Sequence, residues 1–373
     1  MRILLISNMY PDKKHPGFGV FVKHSANMLS ANGYTLEKVV RIKKNNRLIK
    51  LIDYVLFYFR IFFKVLTTKS EIIYVHFAAH PSIPILLSIF FRKNLKVVTN
   101  VHGTDVVPEN VIHKLFQPFV KMLLQKSNII ISPSNYFKEL VRERYGIEDK
   151  KIKVFPSGGI NKEIFYPINE QSKRYDEFDL NKREQYLGFV GRIEYGKGWK
   201  TLLSAFRILK EERNLSGWKI IFVGYGDEAE IFKETVREYN LDNDIVYFQY
   251  LQQEELNHIY NIIDYFCFPT ERKGESLGLV GIEAMATGTP VIGSNIAGLK
   301  SYISDGKNGF LFDAGNVDDL ADVIEDALTK SASPEKNNAI RSNALKTSNR
   351  YEVNNIKSIL IDIFEDLNQE ELD

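Results

Sequence analysis

Residues 72–91 read IIYVHFAAHPSIPILLSIFF, a stretch without a single Asp, Glu, Lys or Arg. Taken whole, it has the length of a membrane-spanning helix. Its middle argues otherwise. His76, His80, Pro81 and Pro84 interrupt the apolar run, and a lipid-exposed backbone does not tolerate such a break. The stretch therefore divides into a buried β-strand (IIYVHF), a loop (AAHPS) and an apolar helix with Pro84 in its first turn. This reading makes the chain a water-facing α/β protein.

The same alternation extends in both directions. RILLIS, LEKVVRI, LKVVTNV, NIIISP and KIKVFPS are short β-branched runs, and helical segments such as FVKHSANMLSANG separate them. Gly33 closes that helix as a C-cap. Strands that alternate with helices predict a parallel sheet covered on both faces. Residues 161–185 are polar and weakly periodic, and read as a linker. The pattern then restarts with YLGFVGR, WKIIFVG, DIVYFQY, YFCFP, TPVIGS and GFLFD. Two doubly wound domains are expected, residues 1–165 and 166–351, facing a central cleft. The amphipathic segment 352–373 is expected to pack back on the first.

Composition narrows the function classes. One cysteine, Cys267, excludes a disulfide framework and a Cys-based zinc site, and fits a reducing compartment. MRILLISNMY reads as a first strand rather than a leader. The net charge of +2 hides an asymmetry: residues 1–160 hold 25 Lys and Arg against 10 Asp and Glu, leaving 24 against 37 for the rest. A basic first half suits an anionic membrane surface or a phosphate-bearing lipid; attraction between two domains explains it equally well. Residues 43–69 mix bases with Phe, Tyr and aliphatic residues, as interfacial helices do, although packing on the sheet accounts for the same pattern.

Two motifs mislead. GRIEYGKG, residues 191–198, approaches the phosphate loop of nucleoside triphosphatases, but Gly198 stands where a metal-binding hydroxyl is needed. GYGDEA, residues 224–229, resembles a dinucleotide fingerprint but follows the second strand of its domain instead of the first, and reads as a tight turn.

Two other groups carry chemistry. Arg192 and Lys197 follow the strand YLGFVGR, and Gly196 and Gly198 open the next helix. A guanidinium, an ammonium and a helix N-terminus at one strand end form a clamp for a diphosphate; two solvated cations are the plain alternative. Further on, ERKGESLGLVGIEAMATG sets Glu275 and Glu283 around a helix start. Amides of Gly278, Leu279 and Val280 would meet an anion there. Glu283, an acceptor-only group once ionised, would take two hydrogen bonds from a vicinal diol such as a ribose. A capping and a surface glutamate would show the same spacing.

GFVGRIEYGKGWKTLLSAF and ESLGLVGIEAMATGTPVIGSNIAG together resemble the family 4 retaining glycosyltransferases of the GT-B fold, with their Glu-x7-Glu motif. SNMYPDKKHPGFGVFVKHSANMLSANG, VTNVHGTDV and DGKNGFLF are similar to other segments of that family. The resemblance implies a nucleotide-diphosphate sugar donor, UDP- or GDP-linked, and a retaining transfer; the basic first half and residues 43–69 point to a glycan or lipid-linked acceptor in cell-surface polysaccharide synthesis. It implies no cofactor, no metal and no nucleic acid. Arg192 and Lys197 would hold the diphosphate and Glu283 the ribose. Glu275, with the amides of Gly278, Leu279 and Val280, would hold the sugar and distal phosphate. Gly17 and Gly19 would let backbone approach the donor, and His102 would contact the sugar near its reacting carbon. His24, His76 and His80 read as structural. The family's usual Gly-Gly pair is split here by Phe18, and a glycine of its base-binding stretch is replaced near Tyr250 and Leu251. Expected placement is cytoplasmic, peripheral on the inner face of the membrane. A nucleotide-sugar epimerase of the same architecture and a non-catalytic nucleotide-sugar-binding subunit stay open at this level.

Overall fold

The computed structural model describes residues 1–15, 17–44, 46–156, 158–170, 174–331 and 333–369. The chain divides into two compact units, Met1–Gly158 with Val353–Asp373, and Gly159–Glu352. Gly158 and Gly159, where the chain first passes from one unit to the other, both have positive φ.

In the first unit, β1 (Arg2–Ser7), α1 (Val20–Ala31), β2 (Thr35–Val40), α2 (Arg47–Thr67), β3 (Ile72–His76), α3 (Ser82–Phe91), β4 (Lys96–Asn100), α4 (Val111–Lys126), β5 (Ile129–Ser132), α5 (Asn135–Tyr145) and β6 (Ile152–Val154) alternate along the chain. Residues 72–91 thus form β3, a turn and α3. Among the described residues no helix is long and apolar enough to cross a membrane. The strands form one parallel sheet in the order β2-β1-β3-β4-β5-β6. Ser7 pairs with His76, and His76 with Asn100, so three polar residues end adjacent strands in register. One face of the sheet packs under α1. The C-terminal helix α12 (Val353–Gln369) covers the same face, burying Ile356, Leu360, Ile363 and Phe364 with Leu5 and Tyr74.

The second unit begins with the stretch expected to be a linker. Its described part is instead packed: Phe165, Tyr175, Phe178 and Leu180 are buried in the unit's core. Asn257 and Asn261 accept the amides of Tyr166 and Ile168. Polar composition hid this, because a few aromatic anchors suffice to bury an irregular segment whose backbone is satisfied by side chains. Then follow β7 (Gln185–Val190), α6 (Trp199–Glu211), β8 (Trp218–Val223), α7 (Ala229–Glu238), β9 (Ile245–Phe248), α8 (Gln253–Ile262), β10 (Tyr265–Phe268), α9 (Leu279–Ala286), β11 (Val291–Ser294), β12 (Gly309–Phe312), α10 (Val317–Ser331) and α11 (Pro334–Asn349). The sheet is again wholly parallel, ordered β12-β11-β10-β7-β8-β9. Connections leave β7 in one direction toward β8 and return on its other side at β10. The crevice outside the carboxyl ends of β7 and β10 is therefore the topological switch point, where open α/β sheets bind ligands.

Candidate functional site

Three loops converge at that switch point, and glycines let them do so. A Cβ on Gly198 would lie 1.7 Å from the carbonyl oxygen of Pro269, and one on Gly224 1.8 Å from that of Gly191. Gly198 also holds φ at 74° as the N-cap of α6. The Gly224 loop, which mimics a dinucleotide fingerprint, thus uses its first glycine to seat β8's loop on β7's. Glu271 donates its amide to Gly196 O at 2.9 Å, joining the loops after β7 and β10.

This knitting delivers Lys197 to Glu275. Lys197 Nζ donates to Glu275 Oε2 at 2.7 Å, and Thr270 Oγ1 donates to the same oxygen at 3.2 Å. Lys197 and Glu275 are only 15% and 13% exposed. Burial alone would raise the Glu275 carboxyl, but the Lys197 charge and hydrogen bond, aided by Arg272 and Thr270, hold it below the usual range. Glu275 is thus held as a carboxylate, and the pair straddles the switch point.

The helix behind it opens on Gly278 in the left-handed region, φ 73°. A Cβ there would meet the Phe268 ring at 2.3 Å, so only glycine lets the chain turn tightly into α9. Leu279 and Val280 begin the first turn, whose amides have no acceptor within the helix. Glu283 is one turn further on, half-buried. Tyr260 Oη on α8 donates to Glu283 Oε2 at 3.2 Å. Burial pushes the Glu283 carboxyl up to about 7, against the lowering effect of that bond. Arg192 is different: its guanidinium is 60% exposed and pairs with Glu194 at 2.9 Å. Thus Lys197, Glu275 and the head of α9 form one connected group, and Arg192 stands beside β7 with its own acidic neighbour.

The first unit has its own constellation at the carboxyl ends of β1, β3 and β4. Gly19 caps α1 with φ 75°, and a Cβ there would lie 2.8 Å from the Met9 carbonyl carbon and oxygen; Gly17 has open space around it. Asp105 is fully buried and ties two loops together. Its Oδ1 accepts the His102 amide and its Oδ2 the Ala78 amide, both at 2.9 Å. Burial raises its carboxyl to about 6 even though backbone amides oppose the shift. The His102 ring lies against Phe21, centroids 4.4 Å apart. Burial lowers its pKa to about 3, so the imidazole is neutral.

His76 reads as structural from the sequence, yet its Nδ1 lies 3.0 Å from His102 Nε2. The available signal was its place near the carboxyl end of a strand, the end where parallel sheets bind ligands. Thr270 and Glu194 stand five and two positions from Glu275 and Arg192, close enough in sequence to have been considered as their partners, whereas Tyr260 reaches Glu283 from another helix and gave no local signal.

The family described as Glycosyl transferases group 1 matches residues 171–347, and Glycosyltransferase Family 4 matches residues 19–159. The chain belongs to the family 4 glycosyltransferases, enzymes of the GT-B fold. A D-inositol 3-phosphate glycosyltransferase of Corynebacterium aurimucosum is 26% identical over 63% of this chain and 56% of its own length, so the chain spans little more than half of that relative. Sucrose-phosphate synthase from Thermosynechococcus elongatus shares the fold at a TM-score of 0.81 and 18% identity, with 99% of both chains covered. Anabaena HepE, solved in complex with UDP, shares it at 0.79 and 16%, covering 98% of this chain and all of that one.

Proposed function

We propose that this glycosyltransferase moves a sugar from a UDP- or GDP-sugar, with retention of configuration, to a glycan or lipid-linked acceptor in cell-surface polysaccharide synthesis. The observation that carries this reading is the Lys197–Glu275 pair, 2.7 Å long, set at the switch point and at the head of α9. A departing diphosphate needs fixed positive charge, and Lys197, Arg192 and the α9 amides of Gly278, Leu279 and Val280 supply it without reorganisation. Glu283 takes the ribose hydroxyls. Glu275 orients the transferred sugar, and His102 of the first unit contacts it. Gly17 and Gly19 admit the donor's phosphates close to backbone. An anionic Glu275 already bound by Lys197 is a poor nucleophile, which favours same-face attack by the acceptor over a covalent glycosyl-enzyme. The UDP complex of HepE supports the nucleotide, and the phosphorylated acceptor in the name of the Corynebacterium relative supports an anionic acceptor.

The surface of the first unit supports an acceptor held at an anionic bilayer. Leu48, Phe59 and Phe63 on α2, Phe90 and Phe91 on α3, and Leu115 on α4 are all exposed. The helices pack side by side, and lysines and arginines lie among these residues. Exposed apolar residues interspersed with bases suit a lipid interface.

The deciding experiment is calorimetry against UDP and GDP followed by a donor-hydrolysis assay, on the wild type and on Arg192→Ala/Lys197→Ala. The double variant is expected to bind the nucleotide at least about a hundredfold more weakly, as two charge-assisted contacts are lost, and to lose hydrolysis. Unchanged binding and turnover would remove the assignment. Tight binding without turnover in the wild type would make the chain a nucleotide-sugar-binding subunit.

A further inference from the structure

His76 is fully buried at the end of β3, and the functional reading gives it no task. Its ring plane lies within 14° of that of His102, with the centroids 5.2 Å apart, so the two imidazoles meet edge to edge. Its Nδ1 lies 3.0 Å from His102 Nε2, while its own Nε2 is buried without a hydrogen-bond partner among the described residues. Asp105, the acidic residue nearest in sequence, is not available to orient the His102 ring, because backbone amides occupy both its oxygens. Tyr74 packs on the far side of His76, centroids 4.3 Å apart, and Phe21 closes the other side of His102. Two neutral imidazoles in such a site share one N–H···N bond, and its direction fixes both tautomers.

The two directions are unequal. If His102 Nε2–H donated, the His76 proton would have to sit on Nε2, leaving an N–H buried with no acceptor. If His76 Nδ1–H donates, only a lone pair is left unpaired at Nε2. Orphaned buried N–H groups are the rarer of the two defects. We propose that His76 is a positioning residue: it donates Nδ1–H to His102 Nε2 and thereby fixes His102 as the tautomer that carries its free proton on Nδ1. His102 then serves the transferred sugar as a hydrogen-bond donor to oxygen, and cannot take a proton at that nitrogen. The pairing stands on the first unit alone; its use on a sugar rests on the function proposed above.

The test has two arms on the full chain. In the first, histidine is labelled with 15N and two-bond proton–nitrogen spectra of the ligand-free protein are assigned by comparison with His76→Asn and His102→Asn. His102 is expected to show a protonated Nδ1 and a bare Nε2, and His76 a protonated Nδ1. A proton on His102 Nε2 would overturn the proposal. In the second, kcat and KM for hydrolysis of UDP-glucose and GDP-mannose are compared. His76→Phe keeps the ring volume but removes the donor, and kcat should fall about tenfold, the value of one hydrogen bond, with little change in KM. His76→Asn, whose amide nitrogen can stand where Nδ1 stood, should restore most of kcat and the Nδ1-protonated signal. Equal losses in both variants, tracking their melting temperatures, would show a merely structural histidine. Absence of UDP and GDP binding together with absence of turnover refutes the proposed function, while the nitrogen spectra still decide the pairing.

Discussion

Glu283 shows how one residue joins stability to ligand binding. Its carboxyl, ordinarily near 4.5, is raised to about 7 by burial. The folded chain therefore holds this proton more tightly than the unfolded chain. The stability linked to it is present below about pH 4.5 and is lost as pH rises toward 7. A ribose reverses the preference, since two hydroxyls donating to the carboxylate favour its ionised form. UDP or GDP affinity is thus expected to increase from pH 5 to about 7 and then level off, with proton release on binding. Calorimetry in buffers of different ionisation enthalpy measures both, and Glu283→Gln should abolish the release. Affinity independent of pH in the wild type would mean that Glu283 does not meet the ribose. Lys197 and Glu275 were legible in the sequence as a strand-end cation and a loop carboxylate. Their direct pairing was not, since 78 positions separate them.

Elements were more legible than residues. β3 and α3 follow from the interruption at His76–Pro84, and α1 ends at Ala31 with Asn32 as its C-cap and Gly33, at φ 83°, in the left-handed position just beyond, one residue past the C-cap role expected of it. Helix α2 starts where Asn46 accepts the amides of Leu48 and Ile49 at 3.0 and 3.2 Å. Its amphipathic pattern allowed either core packing or a lipid-facing role, and the helix divides between them. Phe57, Ile61 and Val65 are buried, while Phe59 and Phe63 are 58% and 59% exposed. Periodicity locates an apolar stripe, but it cannot say how wide a stripe the neighbours cover. The exposed part gives a prediction. The chain should sediment with anionic vesicles at low salt and release at high salt. Phe59→Asp/Phe63→Asp should lower the bound fraction at least about tenfold, given the transfer energy of two phenyl groups. Because both side chains are already in water, the melting temperature should barely move. No binding at low salt would discard the membrane surface.

For the whole molecule, each unit has its own parallel sheet and core, and the chain passes between units at Gly158 and again after Glu352. The last helix therefore supports the first unit although it follows the second in sequence. Leu360 and Phe364 are fully buried there, and Lys96 Nζ donates to Leu367 O at 2.5 Å. Leu360→Ala is expected to cost about 2–5 kcal/mol by opening a core cavity. Hydrogen exchange should show the loss of protection in β1, β3 and α1, with β7, β8 and β10 unaffected. Equal loss in both sets would show that the helix supports the second unit as well.

Alternation of β-branched runs with amphipathic segments determined the twelve strands of the described residues, several of the helices and the doubly wound class, because these follow from short-range periodicity and from caps within a few residues. The described part of 161–185 escaped, since a packed irregular segment has no period to read. Only the tertiary structure decided which distant side chains meet: Lys197 with Glu275, Tyr260 with Glu283, and His76 with His102. Strand order sets these encounters, and strand order is fixed by sheet pairing between segments distant in sequence, which no local pattern encodes.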